Sequence, residues 1–425
     1  MIFRRRSANL EGNMRANLLK KIRIVMPTMV LFFSAQILAD VEQARLDAVA
    51  ADLQARIAGG KLSGAVVIVA QDGEILMHEA MGYQNVEDKV PMSTDTIFRI
   101  FSMTKPVTGT ALMMLWDEGK FELDDPVEMH LPELAGMRVL VEENDDGSWN
   151  TEPAEHPMTI RELMSHTGGL TYFPPLANGS IANAYVESGI GEEATLAESI
   201  PNLADIPLLN QPGEKWVYSI SVDVQGYLIE RLSGQTLDSF FQERIFDPLG
   251  MVDTGFFVPP ENHHRLSRMY IPNGERLIRT DNSPEALGGA FTEKPKFLAG
   301  GHGLVSTSSD YMKFATLHLN NGVVDNKQLL SQEALNLMHN NQLPEGIEAI
   351  SPVYPGNVFG LDFAIVDNPE VFQGTPTGTF WWWGIAGSWF WIDPQNKTVF
   401  IGMIQNNDLG LSFRTHAATR NAIYN

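Results

Sequence analysis

The chain has 425 residues, 44% apolar and 19% charged, the balance of a folded globular protein rather than of a disordered chain or a membrane bundle. Its formal charge is −22 at pH 7 although residues 1–39 are net basic, so the remainder is strongly acidic and is repelled by nucleic acid and anionic lipid. Cysteine is absent, which excludes disulfides, thiol catalysis and thiolate metal sites.

The N-terminus reads as an export signal. Arg15, Lys20, Lys21 and Arg23 precede the apolar run Ile24 to Leu38, and Ala39 stands before the acidic Asp40. A basic segment, an apolar segment and a small residue at its end are what a secretory signal requires. Residues 1–39 are therefore expected to be removed and the body to be exported, periplasmic or secreted. An uncleaved N-terminal anchor is the alternative, and Met14 is a second candidate start. No other run reaches the ~18 apolar residues that span a bilayer.

Val41 to Ile57 has apolar residues near helical spacing and ends at Gly59-Gly60. Ala65 to Ala70 and Ile75 to Met81 form a hairpin pattern about Asp72-Gly73, and a short strand, Ile97 to Ile100, follows. Ala111, Leu112, Met114 and Leu115 then recur at helical spacing up to Gly119, which places Ser102 at the mouth of a helix of about four turns. From 120 to 299 the pattern is turn-rich and mainly helical, with helices near 196–203, 222–232 and 237–244 and long loops over 142–156 and 260–295. Beyond Gly300-Gly301-His302-Gly303 come a short strand (304–306), helices near 310–319 and 331–340, and strands at 359–366, 379–383, 388–392 and 398–405. Leu411 to Tyr424 closes as a helix. The expected organisation is α+β: segments 40–119 and 300–425 build an antiparallel sheet flanked by helices, and 120–299 is a helical insert within one catalytic unit.

Three stretches carry chemistry. In Ser102-Met103-Thr104-Lys105 the lysine lies one turn from the serine on the same helix face. A partly desolvated lysine can take the serine proton, and a helix N-terminus favours an anion developing there. The plain alternative is a serine cap followed by a surface lysine. In the second stretch, Gln211 to Val224, a Pro212-Gly213 turn leads to Tyr218 just before a helix near Ser221. A phenol presented there, with its pKa lowered by a neighbouring lysine, can relay that proton; otherwise it packs at a seam. The third is Trp381-Trp382-Trp383-Gly384-Ile385-Ala386-Gly387-Ser388-Trp389-Phe390-Trp391, with five of the eight tryptophans. One N–H there and that of Ser102 could form an oxyanion hole, and the indoles are either acyl-pocket wall or sheet core. No G-x-S-x-G is present, so a His–Asp relay is not the default partner of a serine here.

Taken in this order, the motifs resemble the serine β-lactamase/penicillin-binding-protein superfamily, and within it the class C β-lactamase-related carboxylesterases called family VIII. The resemblance covers about residues 45–410 and includes Phe98 to Gly109, Leu163-Met164-Ser165-His166-Thr167-Gly168-Gly169-Leu170, Phe246 to Met251 and Gly300 to Thr307. It implies that fold, an acyl-enzyme on Ser102, and acid/base work shared by Lys105 and Tyr218. Two departures bear on substrate. The β-lactamase Tyr-x-Asn has Ile220 at its third position, and the Lys-Thr-Gly strand motif is replaced by Trp383-Gly384-Ile385. Losing a polar and a cationic contact weakens recognition of penicillin-like anions, whereas a neutral ester needs neither. Relatives commonly carry Trp-Gly-Gly there, so Ile385 is expected to narrow the cleft or alter the oxyanion donor.

Other residues are weaker candidates. His166 reads as a buried turn histidine, His263-His264 as solvated, and Asp124-Asp125 as a turn or cap, whereas the resemblance implies that His302, at the Gly-rich strand start beside the active cleft of relatives, can touch substrate. No metal or cofactor is called for, and the expected partner is a small-molecule ester or amide. The reading is a serine hydrolase of small esters. Its rivals are a D-amino-acid peptidase or weak β-lactamase, and a non-catalytic binding module on the same fold.

Overall fold

The computed structural model describes residues 41–190, 194–281, 291–347, 350 and 354–425. The basic-then-apolar N-terminus lies outside these residues, and among them no helix is long and apolar enough to cross a membrane.

Helix α1 (Gln43–Ala58) is followed by β1 (Gly64–Gln71) and β2 (Glu74–Asn85), joined at Asp72-Gly73, where both residues have positive φ (50° and 83°). That pair of angles matches the twist of an antiparallel hairpin. After β3 (Val90–Pro91) the chain leaves the sheet and returns through β12 (Asn357–Phe359), β13 (Ala364–Val366), β14 (Phe380–Trp383), β15 (Trp389–Asp393) and β16 (Thr398–Met403). The strand order is β12-β13-β14-β15-β16-β1-β2-β3, antiparallel throughout. The final helix, α12 (Leu409–Tyr424), lies beside α1. Strand alternation assigns the faces. Trp389 and Trp391 meet His416 and Tyr424 of α12, while Phe390 between them meets Tyr311 of α10 (Ser308–Leu319). Every residue of β1 is buried, as a strand covered on both faces requires.

The central span contributes β4 (Phe98–Arg99), which pairs with β9 (Val305–Ser306), and then a 3₁₀ turn, Phe101–Met103, that opens into α2 (Thr104–Asp117). Residues 104–115 of α2 are all buried. The remaining helices here are α3 (Val127–His130), α4 (Ile160–Met164), α5 (Ser180–Glu187), α6 (Leu196–Ser199), α7 (Ser221–Ser233), α8 (Leu237–Phe241) and α9 (Asp247–Leu249), with α7 packed on α2; α11 (Gln332–His339) follows α10.

The expected long loops at 142–156 and 260–295 contain hairpins instead. They are β5 (Arg138–Glu143) with β6 (Trp149–Pro153), and β7 (Tyr270–Asn273) with β8 (Arg276–Arg279). Their turns contain Asp146-Gly147 and Gly274-Glu275, but the arms mix polar and apolar residues and are mostly exposed, so no clean apolar alternation announces them. The run 359–366 is not one strand. It is the β12–β13 hairpin, folded at Gly360 because any Cβ there would stand 1.9 Å from the Met338 carbonyl.

Candidate active site

Two close backbone approaches put the three motifs together. Gly300 lies so near α7 that a Cβ would be 2.5 Å from the Val222 carbonyl, and Thr108 Oγ1 of α2 donates to the Gly300 carbonyl at 2.6 Å. At the other end, a Cβ on Gly384 would be 2.3 Å from the carbonyl of Ile100. The Gly-Gly pair thus seats α2 against α7, and Gly384 lets β14 reach the 3₁₀ turn that holds Ser102. Phe101 takes φ 43°, a strained value for a bulky residue, and its ring is fixed edge-on by Phe291 at 5.7 Å. Such strain costs on the order of 1–3 kcal/mol and is held by surrounding packing.

Lys105 is fully buried, which removes the surface-lysine alternative. Its Nζ donates to the Gly301 carbonyl at 2.8 Å and lies 4.5 Å from the centre of the Tyr218 ring and 5.4 Å from that of Tyr172. Burial lowers its pKa to about 8, with Asp223 and Asp362 opposing the shift. The Gly301 N–H donates to Asp223 Oδ1 at 3.0 Å, so one residue, through its two adjoining peptide groups, holds the carboxylate by its N–H and the lysine by its carbonyl.

Tyr218 stacks on Tyr172 at 5.6 Å and meets Trp382 at 5.5 Å. Its hydroxyl is buried and makes no hydrogen bond of ordinary geometry, though Ser102 and Trp382 are near enough to favour its ionisation. Burial outweighs them and pushes the phenol above its usual value. The expectation that Lys105 lowers this pKa therefore fails: the ammonium sits over the ring face rather than beside the hydroxyl. Of the two, Lys105 has the pKa nearer to neutrality, and Tyr218 stays a neutral phenol there.

Ser102 is 8% exposed, and its backbone N–H has no acceptor among the described residues. In the β14–β15 turn the Gly384 N–H is bonded to the Ser388 carbonyl at 2.7 Å, so Gly384 has no N–H to offer a ligand. The next N–H, of Ile385, has no acceptor among the described residues. The sequence register is also one residue off. Trp382, not Trp383, stands against Tyr218, whereas the Trp383 indole turns to Phe413 of α12 at 4.8 Å. Ile385 does not narrow the cleft either: its side chain packs into the cluster of Phe101, Phe291, Val258 and Val305. Ile220 is fully buried and offers a ligand nothing. Of the five clustered tryptophans, four are at most 4% exposed and serve as sheet core, with Trp382 also forming part of the site.

A model of the family described as Beta-lactamase matches residues 46–424. The chain belongs to the beta-lactamase family. Within this family it is similar to Protein Rv1367c of Mycobacterium tuberculosis, at 36% identity over 82% of this chain and 86% of the relative. It is also similar to Esterase EstB of Burkholderia gladioli, at 32% identity over 90% of this chain and 95% of EstB. Among solved structures, EstCE1, "a hydrolase with promiscuous acyltransferase activity", is 26% identical with a TM-score of 0.75, covering 90% of this chain and 99% of EstCE1. The α+β β-lactamase/penicillin-binding-protein fold expected from the motifs is the fold observed, and its relatives include esterases.

His302 is part of this beta-lactamase-family site. It is half-buried, its Nδ1 is 3.5 Å from the Tyr172 hydroxyl, and burial lowers its pKa with Lys105 adding and Asp223 opposing. His166 lies behind the site as a neutral turn residue with φ 58°, its Nδ1 2.9 Å from Ser219 Oγ. His263 bonds the Val258 carbonyl, and Asp124 pairs with Arg161. Sequence reasoning missed Tyr172 and Asp223. The signals were available: Tyr172 stands two residues beyond the Ser-His-Thr-Gly-Gly-Leu motif, and Asp223 five residues beyond Tyr218, in the first turn of α7. Among the described residues no cluster of His, Asp or Glu has metal-holding geometry.

Proposed function

We propose that this protein is a serine carboxylesterase that cleaves small esters through an acyl-enzyme on Ser102. The observation that carries the reading is Lys105, a buried lysine one turn from Ser102 with its pKa lowered to about 8. Ser102 Oγ attacks the ester carbonyl while its proton passes to neutral Lys105, directly or through the Tyr218 hydroxyl. The N–H groups of Ser102 and Ile385 receive the oxyanion. Collapse breaks the ester C–O bond, and the proton returns to the departing alkoxide. Water repeats the sequence on the acyl-enzyme, releasing the acid and restoring Ser102.

The name of EstB, and that of a Penicillium rubens relative, "Lovastatin esterase", 29% identical over 83% of this chain, support ester cleavage. The apolar Trp382 beside Tyr218 and the buried Ile220 favour a neutral substrate over an anionic lactam. Each charge-assisted contact a lactam would miss is worth roughly 1.5–3 kcal/mol. The acyltransferase activity of EstCE1 suggests a second outlet for the same intermediate, transfer to an alcohol, which adding a short alcohol to the assay would reveal as a new ester product.

The test is p-nitrophenyl ester hydrolysis beside nitrocefin hydrolysis, with fluorophosphonate labelling. Wild type should turn over short esters, hydrolyse nitrocefin poorly and take the label on Ser102. Ser102→Ala should lose about four to six orders of magnitude in ester turnover and all labelling. If it keeps more than a few per cent of activity, another residue attacks and the scheme is wrong.

A further inference from the structure

Gln225 and Asp362 form a buried polar pair that this reaction does not use. Both are fully buried. Gln225 extends from α7, and Asp362 sits in the β12–β13 turn at φ 61°, a left-handed conformation that aspartate tolerates better than most L residues. Gln225 Nε2 donates to Asp362 Oδ1 at 3.2 Å, while Gln225 Oε1 and Asp362 Oδ2 have no hydrogen-bond partner. Oδ2 presses on α2 at Gly109, one turn past Lys105, where an alanine Cβ would stand 2.5 Å from it. A glycine in mid-helix, an acid in a left-handed turn and a glutamine in a buried helix each run against local preference. All three meet at this one carboxyl.

An ionised carboxylate donates nothing, so it would leave both of those oxygens buried without a donor. One proton on Asp362 Oδ2 supplies the missing donor, because its O–H can be given to the Gln225 carbonyl oxygen while Oδ1 accepts from Nε2. We propose that Asp362 is held as a neutral carboxylic acid paired with the Gln225 carboxamide, a positioning residue that spares Lys105 a second buried anion. This rests on Lys105 being the base of the proposed esterase. Burial also drives the Asp362 carboxyl well above the carboxylate range, with Gln225 and Lys105 opposing.

The ionisable groups that act on Asp362 are Lys105 on α2 and Tyr218 before α7; Asp223, also on α7, is the other carboxyl acting on Lys105. From α4 the Met164 carbonyl accepts the Asp362 N–H at 3.1 Å. His318 of α10 and His339 of α11 flank the neighbouring Phe363 at 5.1 and 5.3 Å, and burial keeps both neutral. An anion at Asp362 would raise the Lys105 pKa, so protonating this carboxyl takes away one of the two charges that oppose the lowering of that pKa.

Infrared spectroscopy of the wild-type protein at pH 8 tests this without reference to activity, since ordinary carboxyls are ionised there. A protonated-carboxyl C=O band should persist and should shift in Gln225→Leu. A wild-type spectrum with no such band overturns the proposal. The second measurement is the acidic limb of kcat/KM against pH in Asp362→Asn, which replaces a neutral acid by a neutral amide. The limb should stay in place; a displacement toward lower pH by about one unit or more would mean that an anion had been removed. Should Ser102→Ala remain active, the esterase scheme falls while the infrared result still decides the state of Asp362.

Discussion

Asp223→Asn removes the charge nearest Lys105 while keeping an oxygen to accept the Gly301 N–H, so it isolates electrostatics from geometry. The separation can be bounded from Gly301. A Cβ on that residue would lie 3.3 Å from Lys105 Nζ and 3.1 Å from Asp223 Oδ2, so the two groups are at most about 6.4 Å apart, and they form no ion pair within 4.0 Å. At ~6 Å and an effective dielectric of about 20, the attraction is near 3 kcal/mol, or about two pKa units; a wetter site halves it. Asp223 stabilises the ammonium, so its loss lowers the Lys105 pKa from about 8. In the proposed scheme neutral Lys105 is the working base, so activity is present above that pKa and lost as pH falls through it. The acidic limb of kcat/KM for a p-nitrophenyl ester should therefore move to lower pH by about one to two units. The variant would keep a larger share of its own maximum at pH 6 than wild type does. An unmoved limb, in a variant with normal thermal stability, would show that Lys105 does not set the profile. The contrast with Asp362→Asn is diagnostic, since one carboxyl is argued to carry charge and the other is not.

Two further outcomes are expected. Tyr218→Phe retains the ring against Tyr172, Trp382 and the Lys105 ammonium, and the hydroxyl it loses makes no ordinary hydrogen bond. Its Tm should match wild type while kcat falls by about two to four orders of magnitude; a near-wild-type kcat would remove Tyr218 from the proton path. For the N-terminus we propose export with cleavage after Ala39. Expression in a Gram-negative host should yield a periplasmic protein beginning at Asp40, and a soluble cytoplasmic product retaining residues 1–39 would refute it.

Local chemistry determined much of this protein from sequence alone. The 3.6-residue spacing beyond Ser102 fixed α2, and one-turn spacing put Lys105 on the serine's face; both are properties of neighbouring residues on one helix. The Asp72-Gly73 hairpin was legible for the same reason, because its turn angles are set by two residues. Distant approaches were not legible. That Asp223 and Lys105 meet at Gly301, or that Asp362 meets α2 at Gly109, depends on which backbones touch across 78 or more residues of chain. The Trp382–Trp383 register was hidden too, since in a tryptophan run a one-residue slip exchanges the two faces without changing the pattern. The sign of the Tyr218 shift belongs to the same class. A lysine near a phenol favours the phenolate, and burial opposes it; only the packed structure, with the ammonium over the ring and the hydroxyl shut from water, decides that burial wins.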